Sequence, residues 1–209
     1  MNTPNSNDKV THDELVQRIE LMETMIAEGR SATIRFGWVF VLWGLVDIAG
    51  MGWEMLGSHS GWVWPVTIGC GLLLQFAVMS LRRGKGQTCS NTLKSRSISA
   101  VWGMMGIAML LYCFTAIFRG QAWQSSYIAA IFIIVGLAHA ISATILRWLA
   151  QGFVAALWWA GGLAVFFVPS SIYYVYLFIG EMFFGMVLFG LYAMMLERRT
   201  GGGRVSANA

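Results

Sequence analysis

Apolar residues run through most of this chain in long unbroken stretches, separated by short segments that collect arginine, lysine, serine and glycine. The stretches fall at Thr33 to Leu56, Gly61 to Leu81, Ile98 to Phe118, Gln124 to Arg147, Gly152 to Val168 and Ser171 to Leu196. About 20 apolar residues in a helix cross a hydrocarbon core of about 30 Å. The runs are continuous, whereas a membrane barrel would alternate apolar and polar positions in segments of ~10 residues. The pattern predicts an all-α polytopic membrane protein with six transmembrane helices over residues 33–196.

The first thirty residues follow a different rule. Asn2 to Lys9 is polar, so residues 1–10 are expected to form a disordered leader. Thr11 and Glu14 then stand at the spacing of a capping box, in which the two side chains satisfy the free N–H groups of a helix start. A cytoplasmic amphipathic helix is predicted over 11–29, closed by Gly29. Leu15, Ile19, Met22 and Ile26 recur at steps of four, three and four and so form one apolar stripe. Asp13, Glu14, Glu20, Glu23 and Glu28 outnumber Arg18 around it, so anionic headgroups would repel the helix and a protein surface suits it better. Its own membrane domain, a second copy of the chain or a different protein could each supply that surface.

Charge sets the expected orientation. Short cytoplasmic loops retain Lys and Arg. With six spans and the amino terminus inside, Arg30, Arg35, Arg82, Arg83, Lys85, Arg147, Arg198 and Arg199 all lie on the inner side, and Arg119 alone lies outside. Both termini are therefore expected in the cytoplasm, most simply at a bacterial inner membrane, with 197–209 as a flexible basic tail. This basic collar explains a pI of about 9.2 without nucleic acid. Composition agrees with a membrane domain, since 57% of the 209 residues are apolar and 11% are charged. A removable signal peptide is not expected, because no short apolar core follows a basic start. Cys70, Cys89 and Cys113 have neither disulfide nor metal-ligand spacing.

Two patterns bear on how the helices pack. Trp43-Gly44, Trp102-Gly103 and Trp158-Trp159 recur in odd-numbered spans, and Gly71 and Gly136 each stand eleven residues before an arginine, Arg82 and Arg147. Three repeated helical hairpins would give this arrangement, as would chance among 24 Gly and 10 Trp. Gly180, Gly185 and Gly190, together with Ala156, Ala160 and Ala164, are expected to let helices approach closely, which matters where lipid removes the hydrophobic drive. Trp38, Trp53, Trp62, Trp64, Trp123 and Trp148 fit an aromatic belt at the span ends. The methionines are read as gap-fillers rather than copper ligands.

The candidate chemistry is intramembrane. A charge at mid-bilayer costs at least about 2.5 kcal/mol, so ionisable groups there are the first functional candidates. Asp47 and Glu181 are expected about 20 Å from the inner helix ends, and His139 and Gln75 about 10 Å from them. Two carboxyls in one layer could share a proton or cation, with His139 passing a proton inward; hydrogen bonding between helices is the structural alternative. Glu54 and His59 fall near the outer surface. Catalytic motifs such as His-Glu-x-x-His, Gly-x-Ser-x-Gly or a phosphate loop are absent, and no cofactor or metal is expected. The reading is a non-enzymatic membrane module, oligomeric or an accessory or regulatory subunit of a membrane complex. A small proton- or cation-coupled transporter or channel using Asp47, Glu181 and His139 is the alternative.

Overall fold

A backbone inside a bilayer must satisfy its own N–H and C=O groups, and a chain of continuous apolar runs does so as helices. The computed structural model describes residues 6–56, 62–83, 93–119, 125–168 and 171–206, and among these there is no strand. The helices are α1 (Ser6–Arg35), α2 (Gly37–Met55), α3 (Val63–Arg83), α4 (Leu93–Phe118), α5 (Ser125–Leu146), α6 (Leu149–Ala164), α7 (Ser171–Glu181) and α8 (Phe189–Ser206). Between α7 and α8 the helix continues as a π segment, Met182–Leu188.

Five helices are long and apolar enough to cross a membrane: α2, α3, α4, α5 and the continuous last rod over Ile172–Arg199. The fifth expected span is the exception. Its helix starts at Leu149 rather than Gly152 and ends at Ala164, a length of 16 residues, or about 24 Å. The reason is the corner before it. Arg147 takes a φ of 48°, the left-handed conformation that usually selects glycine just past a helix end. The Trp148 N–H then donates back to the Ala143 carbonyl at 3.0 Å. Arg30 donates to the carbonyls of Leu146 and Arg147 at 3.2 and 3.0 Å, satisfying further free ends of α5. The chain reverses within Arg147 and Trp148, so three residues expected in a loop enter the helix.

α6 then runs back alongside α5. Gly152 faces Ala143, Gly136 faces Trp158 and Trp159, and Gly162 faces Phe132 and Ile133. The register holds over the length of α6. Its buried side comprises Gln151, Ala155, Trp158, Gly161 and Gly162, whereas Ala156 and Ala160, expected as packing residues, are exposed. Trp148 is buried against Phe189 and Tyr192 instead of joining an aromatic belt.

α2 packs antiparallel against the last rod. A Cβ at Gly190 would lie 2.6 Å from the Gly37 carbonyl oxygen, and one at Gly37 would lie 2.8 Å from that of Gly190. Backbone meets backbone there, which only glycine permits. Gly185 also holds a close approach, to the Trp158 indole, but Gly180, grouped with them from the sequence, has open space beside it. The Trp-Gly pairs are not equivalent either: Gly44 meets Met186 and Val187, whereas Gly103 has nothing within 4 Å. The core lies between α5 and the last rod, whose windows are the most buried, and α4 is the most peripheral.

The first helix differs from its expected limits. It begins at Ser6, passes through Gly29 and ends at Arg35, one residue before α2. Its base is held in the bundle by Arg30 and by buried Thr33 and Ile34. Every side chain from Glu14 to Thr24 is exposed, so this part does not lie down on its own membrane domain. Ile26, the fourth stripe position, lies outside the residues whose side chains are described, as do His59, Cys89 and Trp123. α8 continues through Arg198 and Arg199 to Ser206, into the segment expected as a flexible tail.

Candidate functional site

The intramembrane polar residues occupy three different environments. Asp47 stands on α2, three residues beyond Gly44, where α2 crosses Met182. It lines a cavity of about 90 Å³ together with Trp64, Met109, Tyr127, Phe178 and Met182. Five helices contribute walls. Trp64 meets Phe178 edge-on at 6.1 Å and 83°, and Tyr127 is stacked on Tyr112 at 4.9 Å and 17°, so the rings are held by neighbours. Among the described residues, the Asp47 carboxyl makes no ion pair, and the Cys113 thiol, which interacts with it electrostatically, shares the cavity wall.

Glu181 is next to Met182 in the chain and therefore at the level of Asp47, but it faces another way. Its carboxyl lies against Gly161 of α6, so closely that a Cβ at that position would overlap it. It also borders a separate, shallower cleft with Tyr173, Tyr176 and Phe184. Oε2 of Glu181 is buried and has no hydrogen-bond partner among the described residues. The π segment begins at the following residue. Such wide turns occur mostly as single insertions in α-helices and often mark functional positions. Here the segment contains Gly185, whose missing side chain leaves room for the Trp158 indole. Gly161 and Trp158 are one turn apart on α6, as are Glu181 and Gly185 on the facing rod, so carboxyl and indole form successive rungs of one interface.

His139 occupies the third environment. It is fully buried in an aromatic cage, with Trp102 at 4.9 Å and 82°, Phe189 at 5.3 Å and 86°, and Phe40 at 5.7 Å and 29°. Neither ring nitrogen has a hydrogen-bond partner among the described residues. Ser142, one turn further along α5, and Gln151, at the start of α6, are also fully buried, with unpartnered side-chain atoms. A relay passes a proton along successive hydrogen bonds. In this arrangement Asp47, Glu181 and His139 are not joined by any, and the two carboxyls face different spaces.

Gln75 serves a structural contact. Its Oε1 accepts a hydrogen bond from the Trp43 indole at 2.6 Å, which ties α3 to α2. Glu54 is buried rather than solvated at the surface. Among the described residues, no group of three His, Cys, Asp or Glu side chains could hold a metal ion.

The sequence did not single out Gln151 or Tyr127, and it marked Trp158 only as part of a repeated pattern. Gln151 was hidden by the misplaced start of α6. A polar residue seven positions before Trp158 on one helix face was the available signal, since that spacing returns to the same side. No known protein family matches this chain, and no curated protein or solved structure matches it either.

Proposed function

We propose that this chain is a non-enzymatic, six-span membrane module that acts as an accessory subunit, coupling to another protein through the projecting part of α1. The observation that carries this reading is the exposure of Leu15, Ile19 and Met22, at 53%, 55% and 56%, on a helix whose base is fixed in the bundle. Apolar side chains at that spacing are the anchors by which a helix enters a partner's groove. The acidic rim argues for a partner lined with Lys or Arg. Two copies placed side by side would bring Glu14, Glu20 and Glu23 together, which like-charge repulsion disfavours.

α6 completes the sixth crossing in this reading. Support comes from its register with α5 and from residues 165–168, which extend the chain beyond Ala164. Six crossings place Arg30, Arg82, Arg147, Arg198 and Arg199 at one end of the bundle. The positive-inside rule assigns that end to the cytoplasm, and a bacterial inner membrane is the simplest setting.

Deleting residues 1–29 tests the coupling. The account predicts that the truncated chain keeps its membrane insertion and its monodisperse profile but loses a co-purifying protein and the corresponding native mass. An unchanged mass and an unchanged set of co-purifying proteins would remove the proposal, and a simple halving of mass would replace the partner with a second copy. Proton- or cation-coupled transport is the second reading, favoured by the unpartnered Glu181 carboxyl beside an open cleft. Asp47→Asn and Glu181→Gln in proteoliposomes should each lower flux. Wild-type flux in both would end that reading.

A further inference from the structure

The cavity around Asp47 has a composition that points to a ligand. It holds one carboxylate, three aromatic rings and thioether side chains, contributed by separate helices. An isolated carboxylate inside a bilayer is expensive unless it is neutral or paired. Here no cationic side chain lines the cavity or forms an ion pair with it among the described residues, and the Cys113 thiol that interacts with it carries no positive charge. The cavity therefore presents a single anionic group with space in front of it, and a cation is the complementary occupant.

The walls discriminate among cations. Hard divalent ions take six or more oxygen ligands, or keep several waters, and one carboxylate among apolar walls offers neither. A bare soft ion would bind thioether and thiol sulfur, which Met109, Met182 and Cys113 could supply. It would leave the carboxylate and the rings without a role, and it needs no space of about 90 Å³. An ammonium carrying methyl groups uses every wall. Its charge faces Asp47, its methyl groups meet the aromatic walls of Trp64, Tyr127 and Phe178, and Met109 and Met182 add polarizable contact. Aromatic cages with a nearby carboxylate suit this chemistry, because the ring quadrupole attracts a cation too weakly hydrated to prefer water.

The rings are also preorganised. Trp64 and Phe178 stand nearly perpendicular and make a corner, while Tyr127 is backed by stacking on Tyr112. Holding the walls in place before the ligand arrives removes part of the ordering cost of binding. Trp64 and Tyr127 lie within the first turn of their helices, and Asp47 lies two turns inside the end of α2. The cavity thus reaches toward the bundle end opposite the arginine collar, with the carboxylate deeper than the rings.

We propose that the Asp47 cavity binds a methylated ammonium group, presented either as a free small cation or as the headgroup of a choline lipid. This goes beyond the coupling function and is separable from transport, because equilibrium binding needs no flux.

The test uses the full-length chain, purified and reconstituted in nanodiscs of phosphatidylglycerol, with tetramethylammonium as the probe. Calorimetry or equilibrium dialysis should show saturable binding at about one per chain. Asp47→Asn should weaken it at least tenfold. Trp64→Leu, which keeps the carboxylate, should weaken it by about tenfold through loss of the best aromatic face. This second variant keeps the proposal testable if Asp47→Asn folds poorly. Repeating the titration in phosphatidylcholine nanodiscs separates the sources: an Asp47-dependent loss of apparent affinity there identifies the lipid headgroup, and unchanged affinity identifies the free cation. Absence of saturable tetramethylammonium binding in phosphatidylglycerol, together with no Asp47-dependent retention of choline lipid, would overturn the proposal. So would binding that neither variant alters, or binding of silver ion with none of tetramethylammonium.

Discussion

The α5–α6 hairpin and the projecting part of α1 both carry apolar stripes at helical spacing, yet their stripes have opposite surroundings. On α5, Ile128, Phe132, Val135 and Leu146 are buried along with His139 and Ser142. On α1, Leu15, Ile19 and Met22 stay open. The difference lies in what each helix meets. α5 has α6 returned onto it by a two-residue corner, and the last rod packs on it through Phe178 stacked on Phe132 and Phe189 edge-on to His139. α1 leaves the bundle beyond Arg30, and every side chain from Glu14 to Thr24 is exposed. An apolar stripe states what a helix requires, and only the fold shows whether the same chain supplies it.

The sharpest way to break this contrast is to spoil a close approach on the buried side. Gly190→Ala forces a methyl group against the backbone of Gly37 and Val41, and neither can give way as a flexible side chain would. A loss on the order of 3 kcal/mol is expected, read as a lower unfolding midpoint in a thermal or denaturant titration. Gly180→Ala should leave that midpoint unchanged, because the space beside it is open.

Arg30→Ala tests the joint between the two regions. It removes two charge-assisted hydrogen bonds to the carbonyls of Leu146 and Arg147. A loss of about 1.5 kcal/mol is expected. The angle of α1 should also broaden, which a spin-label distance from Ile19 to the Leu146 end of α5 would detect. Gln75→Leu should cost about 1 kcal/mol, in the range measured for hydrogen bonds between membrane helices. A double-mutant cycle with Trp43→Phe should recover most of that figure as interaction energy. Replacing Leu15, Ile19 and Met22 together by serine should have the smallest effect on stability, below about 0.5 kcal/mol, since exposed sites away from special features change little.

Much of the architecture was legible from composition and run length alone. Five membrane-length helices stand where the apolar runs stand, because bilayer thickness and internal hydrogen bonding leave few alternatives. The fifth run shows where this reasoning stops. Arg147 looked like the end of one span and Gly152 like the start of the next; the left-handed turn at Arg147 closes that gap and buries Gln151. No local signal marks an arginine for that conformation, which is normally a glycine position. Gly29 misled in the reverse direction, since a glycine inside a helix costs only about 1 kcal/mol and the helix runs through it.

The candidate site was legible as residues but not as a constellation. Depth counting expects Asp47 and Glu181 at one level. Depth says nothing about azimuth. Asp47 faces a cavity walled by Trp64 and Tyr127, and Glu181 faces Gly161 on α6. Which way a side chain points around its helix depends on the crossings, and the π segment after Glu181 shifts that direction for the residues that follow. Trp64 was read as part of a belt for the same reason: its position near a helix end was visible, and the cavity beside it was not.

The most direct test of the coupling reading is site-specific photocrosslinking from α1 in intact membranes. A photoreactive residue at Ile19 sits on the apolar stripe, and one at Gln17 sits on the opposite face of the same exposed helix. The account predicts an adduct with a distinct second protein from Ile19 and none from Gln17. Equal yields from the two positions, or products from Ile19 that contain only this chain, would contradict it.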